Sequence, residues 1–229
     1  MTPRDRSMPP RSGGPRLGVS RVSRVRTAGG SVGQWWTPPW LATELARWAG
    51  VGAARGFPRV LDAGAGEGAL TRGVLEVQPA ASVTALERDT RLVGTLVGTF
   101  AGDGRVSVRE MDFLATDERQ RFLFGLDEIA SFHVCVMNPP WEGDLPERFI
   151  LRGLELAERV CAIVPLNMLC GAARSAWWAA VQPTRCRALA HRPRFAGARG
   201  GMRDVMLLEV RRRAPGRATE VRFELEVGA

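Results

Sequence analysis

Val60-Leu61-Asp62-Ala63-Gly64-Ala65-Gly66-Glu67-Gly68 decides how this chain folds. An apolar strand end runs into alternating glycines and then into a helical pattern, so the backbone must turn sharply from strand to helix and can approach a ligand closely. A dinucleotide fingerprint spaces its glycines G-x-G-x-x-G, whereas here they fall at G-x-G-x-G with Asp62 two residues earlier, which disfavours a nicotinamide or flavin ligand. Outward from this point strand and helix alternate. Strands are expected near 60–64, 82–87, 106–111, 132–137, 160–165, 185–190 and 204–211, and helices near 67–77, 90–100, 117–124, 146–158 and 172–181. Leu41, Leu45 and Trp48 are spaced for one face of a further short helix ahead of the first strand. This alternation predicts an α/β fold, doubly wound, with a mostly parallel sheet covered by helices on both faces. The stretches 204–211 and 219–227 follow one another without a helix between them, so the C-terminal edge is expected to be antiparallel. In the last, Val221, Phe223, Leu225 and Val227 alternate with Glu220, Arg222, Glu224 and Glu226, giving one buried and one wet face.

Length and charge bound the rest. The 229 residues, 45% hydrophobic and 24% charged, suit one medium domain with a real core and are too few for two catalytic domains. No apolar run is long enough to span a membrane, and the first 30 residues lack the apolar stretch of a secretory signal, so no membrane partner and a cytoplasmic location are expected. Cys135, Cys161, Cys170 and Cys186 are widely spaced, with only His133 and His191 to join them. That pattern argues against a zinc site, so no metal is expected and the thiols should be buried or reduced. The net charge is +8, and with no Lys in the chain every basic side chain is Arg, a skew that a GC-rich genome also produces. Residues 1–30 carry a net +6 in a Gly-, Pro- and Ser-rich stretch and read as a disordered basic arm; 185–217 carries +8, and the remainder is mildly acidic. Residues 31–229 then form a single catalytic domain. Basic ends of this kind are candidates for polyanion contact.

Two more strand ends carry acids. Glu87 closes the second strand, where a carboxylate can accept from both hydroxyls of a ribose. Asp112 closes the third, with Phe113 beside it as an aromatic face for an adenine ring. The fourth strand, Phe132-His133-Val134-Cys135-Val136-Met137, runs straight into Asn138-Pro139-Pro140-Trp141. Two prolines remove two donors and fix two φ angles, so this loop is stiff and turns its carbonyls outward. Asn138 adds a side-chain acceptor and Trp141 a wide stacking face. Together they suit a planar NH2 group held by two acceptors, Asn138 Oδ1 and the Pro139 carbonyl, with its ring on the indole. In a doubly wound sheet the strand that reverses the order lies beside the first, and ligands bind at the carboxyl ends there.

On these residues the chain resembles the class I S-adenosylmethionine-dependent methyltransferases over about residues 34–211. The resemblance implies a Rossmann-like sheet of seven strands with one antiparallel, the stretch 219–227 being an addition. It implies S-adenosyl-L-methionine as cofactor, held by Asp62, Gly64, Gly66, Glu87, Asp112, Phe113 and Asn138. Asn138-Pro139-Pro140-Trp141 is similar to the Asn-Pro-Pro-aromatic motif of enzymes that methylate an amino nitrogen conjugated to a ring or carbonyl, which makes these four residues the catalytic candidates. Gln34-Trp35-Trp36-Thr37-Pro38-Pro39-Trp40-Leu41-Ala42 resembles the aromatic-Thr-Pro motif of DNA adenine methyltransferases, which lines the methionine end of the cofactor and so implicates Gln34, Trp36 and Thr37. Locally, the same stretch reads as a helix start with Thr37 capping and Pro38 in first position. Arg192-Pro193-Arg194-Phe195, then Gly197, Gly200-Gly201 and Asp204, is similar to the Arg-Pro-x-Phe and Gly-x-x-Asp pattern of phage-type adenine methyltransferases.

The expectation is methyl transfer to the exocyclic amino group of adenine in DNA, with DNA ahead of RNA as partner. An RNA adenine enzyme, a protein-glutamine enzyme and a catalytically silent nucleic-acid-binding subunit are the alternatives. The short stretch after the last shared strand has no room for a separate target-recognition domain. Recognition is therefore expected from the arm, the 191–203 loop or a partner subunit.

Overall fold

The glycine turn lies at the carboxyl end of an inner strand of a mostly parallel sheet. The computed structural model describes residues 35–54, 56, 58–115, 132–196, 201–212 and 222–225. The arm at 1–30, Gln34 and the expected helix at 117–124 lie outside them. Helix α1 (Pro39–Trp48) precedes β1 (Arg59–Ala63), α2 (Ala69–Val77), β2 (Ser82–Glu87), α3 (Thr90–Thr99) and β3 (Val106–Glu110). After these come β4 (Val134–Met137), α4 (Leu145–Leu156), β5 (Arg159–Pro165), α5 (Ser175–Val181), β6 (Arg185–Ala188), the short β7 (Arg194–Phe195) and β8 (Gly201–Met202), β9 (Val205–Arg211) and β10 (Arg222–Leu225). The main sheet has eight strands in the order β10-β6-β9-β5-β4-β1-β2-β3. β1 pairs in parallel with β2 and with β4, so the order reverses at β1 and a crevice opens between the carboxyl ends of β1 and β4.

Two layers cover the sheet because its central strands are apolar on both sides. Val60, Val134, Val136, Cys161 and Ile163 pack with Leu41, Leu45 and Trp48 of α1 and with Leu70 and Val74 of α2. Leu61, Cys135, Met137, Val160 and Ala162 pack on the opposite face with Phe149, Ile150 and Leu156 of α4 and Val181 of α5. The helix with Leu41, Leu45 and Trp48 on one face is confirmed, and all three are buried. Three cysteines are buried, Cys170 is exposed, and all four are free thiols. No helix among the described residues is long and apolar enough to cross a membrane.

The doubly wound, mostly parallel fold is as expected, and its C-terminal edge differs in detail. β9 is the antiparallel strand, inserted between β5 and β6. β10 adds an eighth strand outside β6 and runs parallel to it, contrary to the antiparallel pairing expected for 219–227. On its expected wet face Arg222 is exposed, while Glu224 accepts from Trp48 Nε1 at 3.3 Å and from Arg187 Nε at 2.8 Å. The run 166–174 forms two short 3-10 turns, and α5 starts at Ser175 rather than near 172.

The charge of 185–217 is distributed differently from what its sequence suggested. Glu209 is fully buried on β9 and takes hydrogen bonds from Arg185 Nε at 3.0 Å and Arg211 Nε at 2.6 Å, while Arg187 pairs with Glu44 and Glu224. Arg185 and Arg211 stand at the opposite end of the sheet from the crevice, because β9 runs against β6. Arg185 and Arg187 thereby tie β6 to β9 and to β10. Burial alone would raise the pKa of Glu209, but the hydrogen bonds from Arg185 and Arg211 outweigh it and hold the carboxylate below its ordinary 4.5. Its contribution to stability is therefore present above pH 4.5 and is lost as the pH falls through the lowered value. Glu209→Ala, which leaves two guanidiniums without their buried partner, is expected to cost about 3–5 kcal/mol in denaturant unfolding at pH 7, with the deficit narrowing below pH 4.5. A loss under about 1 kcal/mol would show that the network is a surface ornament.

Candidate active site at the carboxyl ends of the strands

The turn after β1 is a brace as well as a cradle. Gly64 N and Ala65 N donate to the Leu86 carbonyl at 3.0 and 2.8 Å, and Gly66 N donates to Glu87 Oε2 at 2.9 Å. Glu87 Oε1 in turn accepts from Arg88 N and Asp89 N, so one nearly buried carboxylate ties the ends of β1 and β2 together. Gly66 has φ +56°, and a Cβ there would come within 3.1 Å of the Trp36 ring; at Gly68, φ +83°, it would strike Phe100 at 2.7 Å. Both positions need the left-handed backbone and the missing side chain. The indole of Trp36 therefore lies directly over the glycine turn, bringing the 34–42 stretch to it.

Asp62 is fully buried just before this turn. Thr71 Oγ1 on α2 donates to its Oδ2 at 2.7 Å, while Oδ1 is buried with no partner among the described residues. Burial pushes its pKa up from the ordinary 3.8 to about 7. The helical pattern of α2 gave no sign that Thr71 would serve this carboxyl. Asp112 is exposed at the end of β3, its Oδ1 accepting from Leu114 N at 2.9 Å and its Oδ2 4.0 Å from Arg88 Nη1. Phe113 is a correction: it is 3% exposed and packs on Phe149, ring centroids 5.1 Å apart, so it presents no free face. The apolar neighbour one helix away, Phe149, claimed the ring that strand-end position alone suggested for a ligand.

The loop after β4 is held from an unexpected side. Asn138 Nδ2 donates to the Trp35 carbonyl and to Thr37 Oγ1, each at 3.0 Å. Thr37 does not cap α1: the helix begins at Pro39 with Pro38 at its cap and no side-chain cap bond. With both amide hydrogens committed, the Asn138 oxygen can only accept, and it is buried with no partner among the described residues. The carbonyl of Pro139 likewise accepts nothing among them. Trp141 lies parallel to Trp35 (5.2 Å, 22°), meets Phe195 edge-on (5.1 Å, 81°) and donates from Nε1 to the Ile163 carbonyl at 3.4 Å. One of its faces is thus covered by Trp35. Trp35 and Phe195 complete an aromatic cluster whose separate parts, 100 or more residues apart for Trp35 and Trp141, carried no joint signal in the sequence.

The structure therefore gathers Trp36, Thr37, Asp62, Gly64, Gly66, Glu87, Asn138 and Trp141 at one end of the sheet, with Asp112 at its rim. Among the described residues no group of three His, Cys, Asp or Glu side chains could hold a metal ion. A cavity of about 210 Å³ bordered by His133, Arg159 and Arg211 lies at the other end, against the amino ends of β1, β4 and β5, away from this chemistry.

Residues 58–140, from the start of β1 to Pro140, match the family model described as ribosomal RNA adenine dimethylase. The ribosomal RNA small subunit methyltransferase A of Parasynechococcus marenigrum is 52% identical over 56 residues, 24% of this chain and 18% of that protein. Its counterpart from Geobacter sulfurreducens is 41% identical over 76 residues, 33% of this chain and 27% of that protein. The chain thus spans less than a third of the length of the curated relatives it matches. Among solved structures, the methyltransferase subunit of a type I restriction-modification system from Streptococcus thermophilus superposes with TM-score 0.67 at 16% identity, covering 86% of this chain and 48% of that one. An O-methyltransferase from Thermotoga maritima, described as SAM-dependent, gives 0.56 at 14% identity, covering 80% and 69%. The fold is that of the class I S-adenosylmethionine-dependent methyltransferases, and S-adenosyl-L-methionine is the cofactor it implies.

The buried carboxyl of Asp62 makes a thermodynamic prediction. Its raised pKa means the folded state binds a proton more tightly than the unfolded chain, so its contribution weakens as pH rises from 3.8 to 7. Asp62→Asn, which keeps the acceptor for Thr71, should become progressively more stable than the parent across that window, by at most about 1.4 kcal/mol per pH unit. Parallel stability curves for the two proteins between pH 4 and 7 would refute the buried carboxyl.

Proposed function

We propose that this chain uses S-adenosyl-L-methionine to methylate the exocyclic amino nitrogen of adenine in a polynucleotide. The carrying observation is Asn138: its NH2 is tied to Trp35 and Thr37, and its buried oxygen has no partner among the described residues. An unmet buried acceptor costs about 1–3 kcal/mol, which a bound amino group would recover. The Pro139 carbonyl beside it is a second acceptor. Two acceptors on one NH2 draw its lone pair out of the ring and orient it in line with the methyl group.

The residues fit the cofactor. The left-handed glycine turn at Gly64 and Gly66 admits a ligand at the backbone, Glu87 and Asp112 offer acceptors to ribose and base, and the unpartnered Asp62 oxygen suits an ammonium. Trp36 over Gly66 and Thr37 against Asn138 border the methionine end. When bound, the cofactor supplies an electrophilic sulfonium methyl, and the protein's work is positioning. In this reading Trp141 holds the target ring by its face away from Trp35, at about 1–3 kcal/mol for a stacked base.

RNA is the first choice of polymer, ahead of DNA. The family model and both sequence relatives concern ribosomal RNA, and the matched segment runs through the glycine turn into Asn138 and Pro139. DNA is the second reading, supported by the similarity of residues 34–42 to the DNA adenine enzymes and by the contact of Thr37 with Asn138. A base inside a duplex would first have to be flipped out at a few kcal/mol.

Labelled S-adenosyl-L-methionine offered with ribosomal RNA, single-stranded DNA and duplex DNA, followed by digestion, should give N6-methylated adenosine, most of it from RNA. Label on another nucleoside, or none on any polymer, would overturn the proposal. Asn138→Ala should lower kcat about 10²–10³-fold with cofactor affinity within about threefold of the parent. Undiminished kcat would remove Asn138 from the reaction.

A further inference from the structure

The chain between β6 and β9 returns to the end of the sheet where Asn138 stands, and there it forms the antiparallel β7–β8 ribbon. This ribbon is fastened to the catalytic loop. Phe195, 1% exposed, packs edge-on against both Trp35 and Trp141, and Trp36 N donates to the Ala196 carbonyl at 3.0 Å. At its base Arg192 Nε donates to Asp204 Oδ1 at 2.6 Å. The Arg-Pro-x-Phe and Gly-x-x-Asp pattern thus has a physical meaning, a clasp and an anchor.

The outer side of the ribbon is different in kind. Arg194, Met202 and Arg203 are exposed, and neither Arg194 nor Arg203 has a carboxylate partner among the described residues, unlike Arg185, Arg187, Arg192 and Arg211. The Arg203 guanidinium lies instead 4.5 Å from the centre of the Trp35 ring. Guanidiniums without a carboxylate partner meet phosphates, and an arginine over an indole is a surface on which a base can lie. A duplex offers phosphates but hides its base faces, whereas a single strand offers both.

We propose that the β7–β8 ribbon grips a single-stranded stretch of polynucleotide beside the target base, Arg194 and Arg203 contacting phosphates and the Arg203–Trp35 stack supporting a neighbouring base. This rests on the reading of Asn138 as the group that receives an adenine amine. Because the ribbon is pinned to Trp35 and Trp141, gripping the strand also fixes the distance from that base to Asn138.

Binding of a fluorescent single-stranded RNA by the full chain tests it. Arg194→Ala combined with Arg203→Ala should weaken binding at least about tenfold at 0.1 M salt and flatten the log K against log salt slope by about 1.4, near 0.7 for each phosphate that is no longer neutralised. Affinity for S-adenosylhomocysteine should stay at the parent value. Arg203→Lys should restore the slope but not the full affinity, because an ammonium does not stack. Parent-like affinity and slope in the double variant, or parent binding of duplex as tight as of single strand, would overturn the ribbon's role. If the parent methylates polynucleotide while the double variant keeps its KM, the ribbon proposal alone fails; if the parent methylates none, the amine reading fails.

Discussion

Two hydrogen bonds from one amide organise this end of the molecule. The Asn138 NH2 reaches the Trp35 carbonyl and the Thr37 hydroxyl, and those bonds decide which atom of the side chain is left over. An amide free to turn could offer either donor or acceptor. Held this way it offers only an acceptor, in a place shielded from water, where an unsatisfied oxygen is costly and a well-placed donor is correspondingly favoured. The rest of the fold serves the same geometry. Glu87 fixes the glycine turn to the end of β2, Trp36 leans over that turn, and the stiff Pro139-Pro140 pair keeps the loop from collapsing onto the sheet.

The distribution of charge follows from the topology. Because β9 is antiparallel and lies between β5 and β6, its far end brings buried Glu209 to Arg185 and Arg211, away from the crevice. Arg185 ties β6 to β9 through that carboxylate, while Arg211 bonds it from within β9 itself. The connection from β6 back to β9 necessarily returns to the crevice end, and of the guanidiniums it carries there, Arg194 and Arg203 have no carboxylate partner among the described residues. A basic segment that reads as uniform along the chain is, among its described residues, divided between arginines paired with carboxylates and arginines without one.

The architecture was legible in the residues because its signals are local: apolar runs at 60–63, 134–137 and 160–164 bounded by Gly, Pro and Asn, with helical periods between them. Strand ends were legible too, and with them Asp62, Glu87, Asp112 and Asn138. What escaped was every feature set by partners distant in sequence. Nothing near Phe113 announced Phe149, nothing near Thr37 announced that Asn138 would outbid its own helix for the hydroxyl, and nothing near Asp62 announced Thr71. The parallel pairing of β10 was hidden for the same reason. Alternation defines two faces of a strand and is silent on its direction, which here is set by pairing with β6 and by the bonds of Glu224 to Arg187 and Trp48.

The most direct test of the account is the Thr37 hydroxyl, which accepts from the Asn138 amide. Thr37→Val keeps the shape and removes one of the two bonds that orient that amide. In single-turnover methylation of adenine-containing RNA at saturating cofactor, the rate constant is predicted to fall about tenfold, near 1.4 kcal/mol, the net worth of one hydrogen bond. A variant that methylates at the parent rate would contradict the claim that a fixed Asn138 oxygen is what receives the amine.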